Sequence, residues 1–296
     1  MSSGRVKKLN SAFRREFLFH LLPYFFIALF LIYPFGSLIY YSFLKASVER
    51  PPSEWKFSGF RNYDYLVVDE NLWLIVWNTI IYAFVGSGVP LIAGILIALL
   101  VNSLKGWLRR IISTILIIPM LIIPVVGGII WSFLLSEHYG WFNILISTFG
   151  LETKAWLMTR YSLWFVILTD IWGWTPWVFI ILFAGLQQLD PQVLEAANID
   201  GATGFGRVRY IIIPMMRNLI IVVFLLKLVD TYKAFDYLWV MTEGGPGMAS
   251  TTLNIAAYKH LVIFRDLGTA SAFGVISMIF PMLMSSILVL AQSGRR

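Results

Sequence analysis

The chain has 296 residues, of which 58% are hydrophobic and only 13% charged, with a mean hydropathy of +0.77. Soluble domains average about 45–50% apolar and about 25% charged residues, so this composition belongs to lipid and excludes a large soluble domain. Cysteine is absent, which excludes disulfides, thiolate metal sites and a cysteine nucleophile, while the net charge of +7 has first to be tested against membrane topology before nucleic acid is invoked.

Six apolar stretches follow one another, at 17–44, 73–101, 109–136, 162–186, 211–232 and 268–291. Each is long enough to cross a hydrocarbon core, which takes about 20 residues. They are continuously apolar rather than alternating, so they predict helices and not a barrel. The first run follows Arg5, Lys7, Lys8, Arg14 and Arg15 and is too long for a cleavable leader, so it reads as a retained span. Proline and glycine interrupt several spans: Pro23 and Pro34; Gly86, Gly88 and Pro90; Pro119, Pro124, Gly127 and Gly128; Gly173 and Pro176. Such breaks bend helices and persist in lipid only where protein or a water-filled cavity satisfies the freed backbone.

With the N-terminus inside, the inner segments 1–16, 102–110, 187–210 and 292–296 carry twelve Lys and Arg. The outer segments 45–72, 137–161 and 233–267 carry nine over a longer total length. That asymmetry puts both termini in the cytoplasm. It also accounts for the net charge, so nucleic acid has no independent support. The expected organisation is a cytoplasmic segment 1–16, a first span with its outer loop at 17–72, a core transmembrane region at 73–291 containing an inner loop at 187–210, and a cytoplasmic tail at 292–296. Outside, the stretch from Tyr139 to Phe149 predicts a short interfacial or re-entrant helix, and MTEGGPGMAST at 241–251 predicts a turn.

The inner loop carries the pattern EAANIDGATGFGRVRYIIIP at 195–214. Asp190 is placed to N-cap a helix with Pro191 at its first position, where a missing N–H costs nothing. Glu195, Ala196, Ala197 and Asp200 make a small surface with charge at its rim, Gly201 permits a sharp turn, and a second helix leads into Pro214 and the next span. By composition alone this is also what an ordinary amphipathic connector looks like.

Two intramembrane groups qualify as candidate pathway residues. Asp170 is an ionisable residue within a span, which marks function by default, although its place near the outer part of the helix equally suits a structural salt bridge. Beside it, Trp172, Trp174 and Trp177 suit either the stacking of sugar faces or an interfacial aromatic belt. The second group is Lys227, Asp230, Thr231, Lys233 and Asp236, in which Lys227–Asp230 and Lys233–Asp236 are expected to pair at i,i+3. His20, His138 and His260 have no metal-ligand spacing, and neither a nucleophile elbow nor a paired-carboxylate constellation occurs.

EAA at 195–197, DGA at 200–202, Ile211 and Pro214 resemble, at the same spacing, the signature loop of ABC importer permeases. TDIWGWTPWVFIILFAGLQQLDP at 169–191 and DTYKAFDYLWVMTEGGPG at 230–247 resemble the permease subunits of carbohydrate uptake systems of the maltose, trehalose and glycerol-phosphate type. The resemblance covers about residues 15–290; Val208 departs from it, standing where an aromatic residue is common. It implies an all-α, six-helix permease of the type I importer fold in the inner membrane. Its partners are a binding protein outside, a second permease (expected to be a different chain) and two ATPase subunits. Glu195, Ala196, Ala197, Asp200 and Gly201 then form the ATPase-coupling surface. The resemblance places the pathway at Pro119, Pro124 and Val125, at Gly173, Trp174 and Trp177, and at Lys227 and Thr231, with Asp170 and Asp230 beside them. The chain has no GxxxxGK[ST] loop, so it is expected to bind no cofactor itself, with ATP and Mg²⁺ on the partner ATPase. The expected cargo is a di- or oligosaccharide. Rival readings are glycerol-3-phosphate or another polar solute, which Lys227 and Lys233 would suit, and an ion-driven secondary transporter, for which the inner loop would be dispensable.

Overall fold

The computed structural model describes residues 23–293, so the expected cytoplasmic segment 1–16, residues 17–22 of the first span and residues 294–296 of the tail lie outside the described residues. Five helices are long and apolar enough to cross a membrane, and a bent pair makes up a sixth. They are α1 (Pro23–Ser42), α3 (Leu72–Ser103), α7 (Ser162–Gln187), α9 (Gly204–Tyr232) and α12 (Leu267–Ser293), of which Leu267–Met284 meets the length and hydropathy of a span, with α4 and α5 as the bent pair. The expected stretches match these in order. One differs in kind: 109–136 is not a single bent helix but α4 (Gly106–Ile117, tightened to a 3₁₀ turn at Ile118–Leu121) and α5 (Pro124–Leu134), at 95° to each other. A residue before proline is driven out of the α region. Ile123 sits at φ −58°, ψ 135° ahead of Pro124, and Ile122 is extended at ψ 122°. Two consecutive extended residues turn the chain where one proline would only kink it.

The chain falls into two compact units, Met1–Val68 with Ala257–Ile279, and Asp69–Ala256 with Phe280–Arg296. In the first, α1 leaves most of its apolar side chains exposed, as a lipid-facing span requires. The segment expected as an outer loop instead forms a hairpin of β1 (Leu44–Lys45) and β2 (Lys56–Phe57), followed by α2 (Arg61–Val68). Buried Asn62 donates to the carbonyls of Ser42 (2.8 Å) and Leu44 (2.9 Å), tying α2 to the end of α1. Alternation over two residues is too short to read as a strand, which is why the hairpin is invisible in the sequence.

In the second unit, α3 and α7 pack along much of their length. Lipid supplies no hydrophobic drive for this, so close van der Waals approach between small residues has to hold the pair. Gly94 on α3 provides it, since a Cβ there would stand 2.7 Å from Val178 Cγ1. Ala98, Val101, Val178, Phe179 and Leu182 bury one core along this seam, and Tyr82, Val166, Ile167, Leu238 and Ile255 bury another. Pro90 lies within α3 without breaking it, and Pro176 within α7 likewise.

Between the spans lie short helices: α6 (Trp141–Thr148), α8 (Pro191–Ile199), α10 (Asp236–Thr242) and α11 (Leu253–Tyr258). At eight residues α6 is far too short to span, in keeping with the short helix expected at 139–149. The turn expected at 241–251 is present, with positive φ at Glu243, Gly244 and Gly247. Its anchoring was not legible. Asn78 of α3 donates to the carbonyls of Met248 (3.0 Å), Ala249 (3.3 Å) and Thr251 (3.1 Å), and the Ser162 hydroxyl donates to Gly245 (2.8 Å). One buried amide thus satisfies a loop whose carbonyls would otherwise be orphaned.

Candidate functional site

The inner loop is built from local signals. Asp190 accepts a 2.9 Å bond from the Gln192 N–H ahead of α8, and Pro191 occupies its first position. The helix closes as Asp200 N–H donates to Ala196 (3.0 Å) and Ala202 N–H donates to Ala197 (2.9 Å), with Gly201 between them at φ +80°. This six-to-one closure around a left-handed residue requires glycine or something close to it. Glu195, Ala196, Asp200 and Gly201 face outward, whereas Ala197 is buried and packs inward. Three large apolar side chains beside them are exposed and were not singled out from the sequence: Ile199, Phe205 and Tyr210. The hydrophobic periodicity of 193–199 hints at the first, because Ile199 continues the apolar series with no core to meet.

The second inner helix and the fifth span turn out to be one piece. α9 begins at Gly204, takes a wider π turn at Val208–Ile212, and runs without interruption to Tyr232. Pro214 falls at the start of its α-helical part, where no intrahelical donor is lost. A single 29-residue rod therefore joins the inner loop to the ionisable residues at its far end.

Those residues pair differently from the i,i+3 expectation. Lys227 Nζ donates to Asp170 Oδ2 at 2.9 Å, across from α9 to α7, with both side chains almost wholly buried. Asp230 is left to Lys233, at 3.4 Å and open to solvent. The expected Lys233–Asp236 pair does not form a shared helix face, because α9 ends at Tyr232 and Asp236 opens α10. The physical reason is burial: Lys227 faces α7, and a carboxylate 57 residues away in sequence is the charge that meets it there. Lys227 Nζ also lies 5.0 Å from the Trp174 ring centroid, a cation–π arrangement.

Two clefts adjoin this pair. The larger, about 490 Å³, is lined by Trp174, Trp177, Val222, Lys227, Asp230 and Lys233, among others. The smaller, about 200 Å³, is lined by Pro124, Asp170, Trp174, Phe235, Asp236 and Tyr237, among others. Six residues expected on the pathway thus meet here: Pro124, Asp170, Trp174, Trp177, Lys227 and Asp230. The other four lie elsewhere. Pro119 and Val125 line neither cleft. Thr231 is buried against α3, its hydroxyl 3.5 Å from the Gly86 carbonyl. Gly173 is buried under Tyr237, whose hydroxyl occupies the place a Cβ would take. Gly173 thus makes room for a cleft-lining side chain rather than lining the cleft itself. Tyr237 was not singled out within the 230–247 segment; burial first, then the Asp170 and Asp236 carboxylates, push its hydroxyl up to about 12. Trp172 turns away and meets Trp131 edge to face at 5.8 Å. Among the described residues, no three His, Cys, Asp or Glu side chains gather as a metal would require.

Comparison with known proteins agrees with this architecture. Residues 90–295 match the family model described as "Binding-protein-dependent transport system inner membrane component". A probable ABC transporter permease, y4oQ of Sinorhizobium fredii, is 34% identical over 259 residues, covering 88% of this chain and 82% of that protein. The trehalose/maltose transport system permease MalF of Thermococcus litoralis is 31% identical over 241 residues, covering 81% and 80%. A crystal structure of a bacterial ABC transporter that imports the acidic polysaccharide alginate contains a chain of the same fold, with a TM-score of 0.77 and 22% identity over 95% of this chain and 98% of that one. The chain therefore belongs to the family of binding-protein-dependent transport system inner membrane components, as an ABC transporter permease.

Proposed function

We propose that this permease imports a neutral carbohydrate, passing it along the faces of α7 and α9 that meet at Trp174. The observation that carries the reading is the pairing of charges at the clefts. Each lysine there faces a carboxylate, Lys227 with Asp170 and Lys233 with Asp230, so the site holds an indole face and polar groups without a cation kept for an anion. An indole offers the apolar C–H face of a sugar a flat partner, and the paired polar groups offer its hydroxyls bonds. The similarity to a trehalose/maltose permease supports the same cargo class. Glycerol-3-phosphate fits less well, because its two negative charges would have to displace a carboxylate from each lysine. An ion-driven mechanism has no support in the family to which the chain belongs.

In this reading both termini are cytoplasmic and α8 with its Gly201 closure is the docking element for an ATPase subunit that holds the ATP and Mg²⁺. The full machine contains a second permease, two ATPases and an external binding protein. Glu195, Ala196, Asp200 and Gly201 present the contact, Ala197 seats α8 on its own unit, and Ile199 and Phe205 add the apolar area that a docking surface needs. Movement of the docked loop reaches the cleft through α9, because loop and cleft share that helix.

Two experiments test this. In the reconstituted transporter, labelled trehalose or maltose should accumulate with ATP and labelled glycerol-3-phosphate should not; the reverse result would sink the carbohydrate reading. Glu195→Lys should abolish ATP-driven uptake while the chain still inserts in the membrane, and unimpaired uptake would remove the coupling role from α8.

A further inference from the structure

The short helix α6 is built inside out. Its buried residue is a polar one, Asn143. The Asn143 amide donates to the carbonyls of Ser136 (3.0 Å), Glu137 (3.2 Å) and Lys154 (2.9 Å). Its oxygen accepts from the Lys154 N–H (3.2 Å) and from the Trp156 indole N–H (2.8 Å). With 3.6 residues to a turn, Trp141, Ile144, Leu145 and Thr148 point the opposite way, and all four are exposed. Tyr139 and Phe149, just beyond the two ends, are exposed as well. A helix lying on a protein in water has the reverse pattern, apolar toward the core and polar toward the solvent.

α6 is also strapped in place. The Gly140 N–H donates to the Ser136 carbonyl (3.0 Å), and a Cβ at Gly140 would fall on the carbonyl oxygens of Ser136 and of Leu134, the last residue of α5. On the other side the Trp156 ring meets Phe142 edge to face at 5.5 Å and Phe165, in the first turn of α7, at 5.4 Å. The helix is therefore held where one span ends and the next begins.

We infer that α6 lies in the membrane surface, with Trp141, Ile144 and Leu145 turned to the lipid of the leaflet in which α5 ends and α7 begins. In the topology proposed above that is the outer leaflet; the cargo does not enter the argument. Level is the first reason for choosing lipid over a protein partner, because the ends of two spans mark where hydrocarbon gives way to headgroups. Charge is the second. From Tyr139 to Leu151 there is no Asp, Glu, Lys, Arg or His, whereas a protein interface surrounds its apolar centre with a polar rim. The third is the presence of Tyr139 and Trp141, residue types that collect at the membrane–water boundary. Lipid contact also gives α6 a task. At 11 residues α5 is roughly 16 Å long, about half the hydrocarbon thickness, so its own length does not set its depth in the bilayer. A helix fixed in the surface at its end does.

The chain has no cysteine, so one introduced residue carries a unique spin label. Ile144→Cys, Leu145→Cys and Glu152→Cys are made in the complete transporter, with any cysteines of the other subunits replaced. Each is labelled and reconstituted into vesicles of phosphatidylethanolamine and phosphatidylglycerol. Relaxation of the label is read with oxygen, which concentrates among acyl chains, and with a water-soluble nickel complex; ATP hydrolysis confirms that each labelled transporter is intact. Oxygen should act more strongly than nickel at positions 144 and 145, and nickel more strongly than oxygen at 152, with no change at 144 and 145 when the external binding protein is added. Thr148→Cys, close in size to the native residue and on the same face, should read as 144 and 145 do, and it decides the matter if those variants fail to assemble. The inference is overturned if the α6 labels behave like the one at Glu152, which would put the face in water. It is overturned equally if neither reagent reaches them, which would give the face to another subunit, or if adding the binding protein shields them from oxygen, which would make it that protein's docking surface.

Discussion

The inner loop and the cleft sit at opposite ends of one helix, α9, and they are built on opposite terms. At the loop, Glu195, Asp200, Ile199 and Phe205 are exposed, and the two large apolar side chains among them have no part of this chain over them. At the cleft, Asp170 and Lys227 are charged and lie in the interior, each the other's partner. In the reading proposed above, the ATPase subunit covers the apolar groups of the loop. A buried pair whose charges satisfy each other is complete as it stands. The difference teaches what each end still lacks: the loop leaves apolar side chains uncovered, whereas the buried pair at the cleft is already satisfied.

The largest effect should come from breaking the completed contact on one side only. Asp170→Ala leaves the Lys227 ammonium buried beside the Trp174 ring without its carboxylate, and removal of one member of a buried pair costs about 3–5 kcal/mol. The amount of chain recovered in the membrane, and its melting temperature in detergent, should both fall sharply. A variant as stable as wild type would show that Lys227 finds water or another acceptor.

Gly173→Ala should come next. Its new Cβ meets the Tyr237 hydroxyl, and overpacking of this kind costs about 1–3 kcal/mol. Adding Tyr237→Phe removes the atom in the way, so the double variant should melt closer to wild type than Gly173→Ala alone. If the second change gives no relief, the strain lies elsewhere on α7 and the room made for Tyr237 is not what requires glycine at 173.

These two positions also show why the loop was legible in the sequence and much of the cleft was not. The loop depends on residues within a few positions of one another: Asp190 capping Gln192, Pro191 at the helix start, Gly201 closing α8. Local signals of that sort survive in the order of the letters. The spans were legible for the same reason, since a run of apolar residues is a local property. The break at Ile122–Ile123 followed from two prolines but not its angle, because how far a chain turns depends on what the two halves pack against. At the cleft, the partner of Lys227 is 57 residues away, and the nearest carboxylate in sequence, Asp230, is the wrong one. Nothing in the spacing distinguishes them; burial does. Tyr237 and Gly173 likewise acquire their roles only from α10 lying against α7, a packing that neither segment announces.

Smaller again is the effect expected at Gly201. No atom lies within 4 Å of where its Cβ would be, so Gly201→Ala meets no steric neighbour and bears only the cost of left-handed backbone, roughly 1–2 kcal/mol. That cost falls on the loop and not on the membrane core. ATP hydrolysis should continue while uptake per ATP declines, whereas a fall in the yield of folded chain would tie the turn to the fold of the spans.

The smallest effect is predicted at Lys233, and it separates position from chemistry. Lys233 and Asp230 repeat the Lys–Asp pairing of Lys227 and Asp170, on the same helix and at the mouth of the same cleft, but the Lys233 side chain is 70% exposed and the contact is 3.4 Å. Water already solvates both of these charges, and exposed pairs contribute about 0–1 kcal/mol, less in salt. Lys233→Met should therefore leave the melting temperature unchanged and carbohydrate uptake within about twofold of wild type. Raising the salt concentration should shift the wild type toward the variant. If Lys233→Met instead abolishes uptake, then exposure does not make the Lys233 pair dispensable, and burial is not what distinguishes it from Lys227 and Asp170. An exposed pair has water as a substitute for a missing partner, whereas a buried pair has none, so the same substitution costs little at Lys233 and much at Lys227.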